Sequence, residues 1–117
     1  MRIGIDNVDI DRVNTSKEFL ERFFVASEVD YINTFSDKAS HVAGRLAVKE
    51  AVLKAIGTGL REGMSLKGIE VEVDKNGRPF VKLSGAVKEA FSKLVEKNID
   101  ISITHSKTVA TAICLLF

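Results

Sequence analysis

The residues best placed for chemistry are Glu50 and Lys54, together with an aspartate far earlier in the chain, Asp6. On a helical wheel at about 100° per residue, Glu50 and Lys54 lie within about 40° of each other. Their face is otherwise made of Ala43, Ala47 and Ala51, so small residues leave room beside the two charges for another backbone or a ligand. An i, i+4 salt bridge is the plain alternative and contributes only a few tenths of a kcal/mol. Asp6 follows Ile3 and Ile5 at the end of an alternating stretch, where a side chain leaves a sheet and can enter a cleft, or can cap a turn. If Asp6 meets Glu50, the pair provides the ligands magnesium prefers: one or two carboxylates, with water and substrate phosphate filling the other positions.

Groups able to bind anions cluster on nearby elements: Arg45, Lys49 and Lys54 on the same helix, and His105 and Lys107 in a polar turn near the C-terminus. Gly57-Thr58-Gly59 follows the helix directly. It can stop the helix by taking the left-handed conformation, or let a diphosphate approach bare backbone. The chain carries no Ser-His-Asp order, no cysteine cluster and no G-x-x-x-x-G-K-S/T loop, so nucleophilic catalysis by the protein is not indicated.

These residues must be positioned by one small domain, expected to span residues 1–117. An apolar fraction of 45% against 28% charged is that of a globular chain. A net charge of +1 argues against a protein held to nucleic acid by bulk electrostatics, so any anion site is local. No stretch is long and apolar enough for a membrane span, and Met1 leads into a strand-like segment rather than a signal peptide. The single Cys114, in an apolar run, reads as a small hydrophobe in a reducing, cytoplasmic compartment.

Residues 2–8 alternate and read as a strand finishing near Asp6. A helical pattern from about Asn14 to Phe35 carries Phe19, Leu20, Phe23 and Phe24, and a second short helix starts at Ser27-Glu28. The longest helix is expected over Lys38 to Ile56. Residues 69–74 and 78–83 flank Lys75-Asn76-Gly77 as a hairpin, and Ser84 can cap a helix running through Val87 and Val95 to Asn98. Residues 99–104 and 109–117 form a second hairpin whose last arm is a buried central strand. The order predicts an α+β domain, a mainly antiparallel sheet packed against the long helix.

Three separated motifs, residues 4–12, 43–59 and 102–106, together resemble the holo-acyl-carrier-protein synthases of the 4'-phosphopantetheinyl transferase family. Leu46 and Val48 stand where Phe and Ala are common in that family's motif. The resemblance implies transfer of the 4'-phosphopantetheine arm of coenzyme A to a serine of apo acyl carrier protein, with release of adenosine 3',5'-bisphosphate, by a homotrimer whose sites lie between subunits. It implies that Asp6 and Glu50 hold Mg2+, and that Lys54 is a base or a fixed charge against the diphosphate. Arg45 and His105 would contact phosphate, and Gly57, Thr58 and Gly59 would lie beside the nucleotide. Arg12, Phe19, Arg22 and Phe23 would form the docking surface for the acidic carrier. The base that deprotonates the serine stays open among a metal-activated water, Glu50 and an acid in the region of Glu28 to Asp30. A magnesium-dependent phosphohydrolase acting on a nucleotide diphosphate and a non-catalytic trimeric binding module are the competing readings.

Overall fold

The computed structural model of the chain describes residues 1–61 and 63–117. In chain order it forms β1 (Arg2–Asp9), α1 (Lys17–Phe23), α2 (Ala26–Asn33), α3 (Lys38–Ile56), β2 (Ile69–Val73), β3 (Pro79–Leu83), α4 (Gly85–Ser92), β4 (Ile99–His105) and β5 (Val109–Leu116). The α+β architecture is the expected one, and β5 is central as expected, in the order β1-β5-β4. The strands form two antiparallel sheets rather than one, because β2 and β3 make a separate hairpin. The hairpin lies beside β4, but its nearer strand opens on Pro79, which has no N–H to donate to a ladder. An ion pair from Arg78 Nη2 to Asp100 Oδ1, 2.8 Å, joins the two instead.

Helix α3 has the predicted limits, and both ends show why. The Asp37 carboxylate accepts the Ser40 N–H at its start. At its end Gly57 takes φ 89°, and its N–H donates to the Leu53 carbonyl. Arg2 adds a cation there, its Nε donating to Ala55 O at 2.8 Å and its Nη2 to Ile56 O at 3.0 Å, which complements the negative end of the helix dipole. The helix is buried on both sides, between the three-stranded sheet and a layer made by α2 and the β2–β3 hairpin. Ala47, Val48, Ala51, Val52 and Ile56 join Ile69, Val71, Ile101, Ala112 and Leu116 in the main core. Cys114 is part of that core, and burial pushes its thiol up to about 12, so it is unionised and inert. Among the described residues no helix is long and apolar enough to cross a membrane.

The closest approach is between β1 and α3. A Cβ on Gly4 would collide with the carbonyl oxygen of Ala51 and come within 2.7 Å of Ala55 N, so only glycine lets the strand lie against the helix backbone. The room that the alanines were expected to leave is therefore taken by the chain itself: Ala51 faces Gly4, and Ala43 packs with Ile10 and Ala110.

Three boundaries differ from expectation. Strand β1 continues past Asp6 to Asp9, because β5 offers partners as far as Val109. Helix α1 begins only at Lys17, with the Ser16 hydroxyl accepting the Phe19 N–H. Helix α4 stops at Ser92 rather than Asn98, leaving Val95 exposed. The amides of Lys97 and Asn98 donate to the Phe117 carbonyl, and Lys97 Nζ donates to the carbonyls of Ser92 and Leu94, so the end of the chain competes for this segment. Ser84 does not cap through its side chain; its N–H donates to Gly68 O.

Gly4→Ala is expected to force β1 and α3 apart and to destabilise the fold by about 2–3 kcal/mol or more, a fall in Tm on the order of 10 °C. Thermal unfolding followed by circular dichroism measures this, and an unchanged Tm would contradict the backbone contact.

Candidate active site

Along β1 the side chains alternate, so Gly4, Asp6 and Val8 face the helix layer while Ile3, Ile5 and Asn7 face outward. Gly4 brings the strand down onto α3, and Asp6, two residues on, thereby meets the helix near Glu50 and Lys54. Lys54 Nζ lies 2.9 Å from Asp6 Oδ1 and 3.0 Å from the Ile5 carbonyl oxygen. The Glu50–Lys54 salt bridge weighed from the sequence is thus not formed, because the ammonium turns to the strand. Glu50 is half-buried, and its carboxyl is held above its ordinary range, first by burial and then by the negative charge of Asp6, with Lys54 opposing. The result is two carboxylates at a partly open edge with one ammonium, which is bonded to Asp6 and acts on Glu50 only through its charge. Lys54 is 55% exposed, so its ion pair contributes at most about 1 kcal/mol and matters for placement more than for stability.

The Gly57-Thr58-Gly59 loop follows less than one turn after Lys54. Gly57 is committed to ending the helix, Thr58 Oγ1 donates to Gly59 O, and Gly59 is exposed with φ 62°. On the opposite side of Asp6 the strand runs into a cleft of about 370 Å³, lined by Asn7, Asp9, Arg12, Val13, Phe19 and Leu46 among others. Of the expected docking residues, Arg12 is exposed and only loosely paired with Asp9 at 3.7 Å. Arg22 is exposed, with its guanidinium 5.2 Å from the centre of the Phe23 ring, which in turn sits 4.8 Å from that of Phe19. Phe23 packs into both main apolar clusters and supports this surface more than it presents it.

His105 and Lys107 lie elsewhere. They line a cleft of about 520 Å³ with Ile10, Asp37, Ser40 and Ser106, at the first turn of α3. Ten residues of helix separate Ser40 from Glu50, roughly 15 Å. Within one chain His105 therefore does not join Asp6, Glu50 and Lys54. Arg45 lies between the two places, 7% exposed, its guanidinium 4.6 Å from the centre of the Tyr31 ring and its Nε without a partner. Burial lowers the Arg45 pKa. It also lowers that of His41, with the Arg45 charge adding to the effect.

Two expectations fail here. Lys49 is no anion-binding group, because its ammonium is fully buried and donates to Glu28 Oε1, Leu66 O and Ile69 O. Glu28 is no candidate base, because both its oxygens are engaged: Oε1 by Lys49 and the Val25 N–H, Oε2 by the Val71 N–H. Asp30 lines a different cleft, with Glu21 and Lys67. The sequence reading also missed Arg2 at the helix end and the stacking of Arg45 on Tyr31. Arg2 at the start of the first strand carries no local signal, and nothing in the short helix of Tyr31 points to Arg45 on another element.

The geometry can be set beside known proteins. Residues 2–114 match the 4'-phosphopantetheinyl transferase superfamily. The holo-[acyl-carrier-protein] synthase of Treponema denticola is 42% identical over 118 residues, covering 97% of this chain and 95% of that protein. Among solved structures, holo-[acyl-carrier-protein] synthase of Helicobacter pylori in complex with coenzyme A superposes with a TM-score of 0.84 at 32% identity, covering 98% of this chain and 99% of that one. The Bacillus anthracis holo-(acyl-carrier-protein) synthase superposes with a TM-score of 0.81 at 34% identity, over 98% and 94% of the two chains. Likeness that runs end to end in both sequence and fold, through the strand of Asp6 and the helix of Glu50 and Lys54, makes this chain a member of the 4'-phosphopantetheinyl transferase superfamily.

Proposed function

We propose that the chain is a holo-[acyl-carrier-protein] synthase, transferring the 4'-phosphopantetheine arm of coenzyme A to a serine of apo acyl carrier protein, with Mg2+ held by Asp6 and Glu50. The observation that carries the reading is the meeting of Asp6, Glu50 and Lys54 on two elements that the family likeness spans. The donor set fits magnesium: two hard carboxylates, one of them half-buried and destabilised by the other, are relieved by a divalent cation that completes its shell with water and phosphate.

In the reaction the serine oxygen bonds to the phosphorus that carries the pantetheine arm. The bond from that phosphorus to the bridging oxygen breaks, and adenosine 3',5'-bisphosphate leaves with the added negative charge. Asp6 and Glu50 would hold the Mg2+, which would supply charge neutralisation to the diphosphate. Lys54, already over Asp6, turns its ammonium to the leaving phosphate oxygens. The serine proton passes to Glu50 or to a water; Glu28 is too enclosed to take it. Thr58 and Gly59 border the nucleotide. Arg12, Arg22 and Phe19 dock the acidic carrier in the cleft that adjoins Asp6.

Arg45 and His105 contact substrate phosphate, and His105, which one chain keeps apart from Asp6, does so from a neighbouring copy. The outer face of the three-stranded sheet supports such an assembly. Ile3 and Ile5 are 64% and 58% exposed there, alongside Ile113 and Leu115, an apolar surface that a lone chain leaves wet. A homotrimer in the cytoplasm is the state we propose, with the lone thiol reduced.

Incubation with apo carrier, coenzyme A and Mg2+ is expected to add one phosphopantetheine group to the carrier by mass spectrometry, and none after chelation. Coenzyme A hydrolysed equally fast without carrier would indicate a phosphohydrolase. Glu50→Gln is expected to cut kcat by roughly a hundredfold or more. Its ligand-free Tm should be unchanged or higher, and it should lose the stabilisation that Mg2+ with coenzyme A gives the parent. A variant that melts lower yet still transfers would sink the ligand assignment.

Arg12→Ala and Arg22→Glu are expected to raise KM for the carrier by roughly three- to tenfold, an effect that shrinks at high salt, with KM for coenzyme A nearly unchanged. Equal shifts for both substrates would remove these residues from docking. Ile3→Glu and Ile113→Glu are each expected to sediment as smaller species than the parent and to lose transfer. Intact trimers would place the interface elsewhere.

A further inference from the structure

The segment from Ser16 to Phe35 carries α1 and α2, and with them Phe19, Arg22 and Phe23. It is held to the body of the protein by apolar packing, Leu20, Phe24 and Ile32 against Val42. Apart from the local bond of the Ser16 N–H to Asn14 Oδ1 where the segment begins, Glu28 is the residue among those described whose side chain ties the segment to the rest of the chain by hydrogen bonds. Its carboxylate is 1% exposed. Oε1 accepts the Val25 N–H at 3.0 Å, which ties down the junction between α1 and α2, and accepts Lys49 Nζ from α3 at 3.0 Å. Oε2 accepts the Val71 N–H at 3.1 Å.

Lys49 completes the arrangement, since all three of its protons are used, on Glu28, Leu66 O at 2.8 Å and Ile69 O at 2.6 Å. The Ile69 carbonyl and the Val71 N–H point to the same edge of β2, the edge that β3 does not cover. The buried pair therefore stands in for a neighbouring strand. It clamps the hairpin edge, the helix junction and α3 at one point, adjacent in sequence to Glu50. A pair so completely satisfied contributes little net stability compared with apolar replacements, whereas its directed bonds fix one geometry.

We propose that Glu28 and Lys49 are positioning residues for carrier recognition: the pair holds the α1–α2 segment, and hence the docking surface, in register with the carboxylate site on α3. The effect on substrate kinetics rests on the function proposed above; the effect on the segment's order does not. Without the clamp the segment remains attached by its apolar side chains but samples other placements. If it keeps the docking geometry for about a tenth of the time, KM for the carrier rises roughly tenfold.

The test uses Lys49→Met and the double variant Glu28→Gln with Lys49→Met. The single change strands a buried carboxylate and can prevent folding, while the double change removes both charges and is expected to fold. In the folded variants carrier KM should rise roughly tenfold while KM for coenzyme A stays within about twofold of the parent. Hydrogen exchange should show lost protection over residues 17–33 and at Val71, with the central turns of α3 and the β1–β5–β4 sheet unchanged. A lower Tm with both KM values and the exchange pattern unchanged would overturn the proposal, leaving the pair a purely structural one. A parent that transfers nothing to the carrier would count against the proposed function, and the exchange pattern would still decide whether the pair holds the segment.

Discussion

Everything at the site depends on the contact between the backbones of β1 and α3 at Gly4 and Ala51. Strand and helix usually meet through a layer of side chains. Here the layer is missing on the strand side and reduced to alanine on the helix side, so Asp6 is carried down to the level of Glu50 and Lys54. A bulkier residue at position 4 would lift the strand and draw the two carboxylates apart. The same proximity lets Arg2, at the start of β1, reach the carbonyls of Ala55 and Ile56 and close the end of the helix.

Helix α3 then distributes its charges by side. Lys49 and Lys54 are five residues apart, about 140° around the axis, and their environments are opposite. Lys49 points away from the large sheet into a dry pocket, where burial lowers its pKa and three acceptors hold its ammonium. Lys54 points to the rim, stays largely in water, and faces one carboxylate that it can leave. An ammonium locked by three bonds serves architecture. One held at an open edge can respond to a ligand's phosphate, which is the behaviour asked of a catalytic cation.

The single chain places two of its proposed phosphate contacts, His105 and Lys54, toward opposite ends of α3, and this follows from topology. His105 ends β4, which lies at the far side of the central strand from β1, so it reaches the first turn of the helix while Asp6 meets the second half. With the outer face of the sheet apolar and uncovered in the single chain, the proposed association of copies would remove that face from water and bring the two ends of different helices together.

The sequence by itself determined the elements whose signals are local. Asp37 and Gly57 mark the ends of α3 through hydrogen bonds and a positive φ that depend on neighbours in the chain, and Lys75-Asn76-Gly77 makes the hairpin for the same reason. It also pointed to Glu50 and Lys54, because a carboxylate and an ammonium among alanines are visible on a helical wheel, and to Asp6 as the acid that follows the alternating Ile3 and Ile5. Only the tertiary structure decided how charges pair, since pairing depends on which elements meet and how deeply. Lys54 chose Asp6, 48 residues away, over Glu50 in its own helix. Lys49, read from its type as an anion-binding group, found Glu28 across 21 residues in a space closed to solvent. The end of α4 likewise went to the competing Phe117 carbonyl. Such choices are set by long-range packing and burial, which no local pattern records.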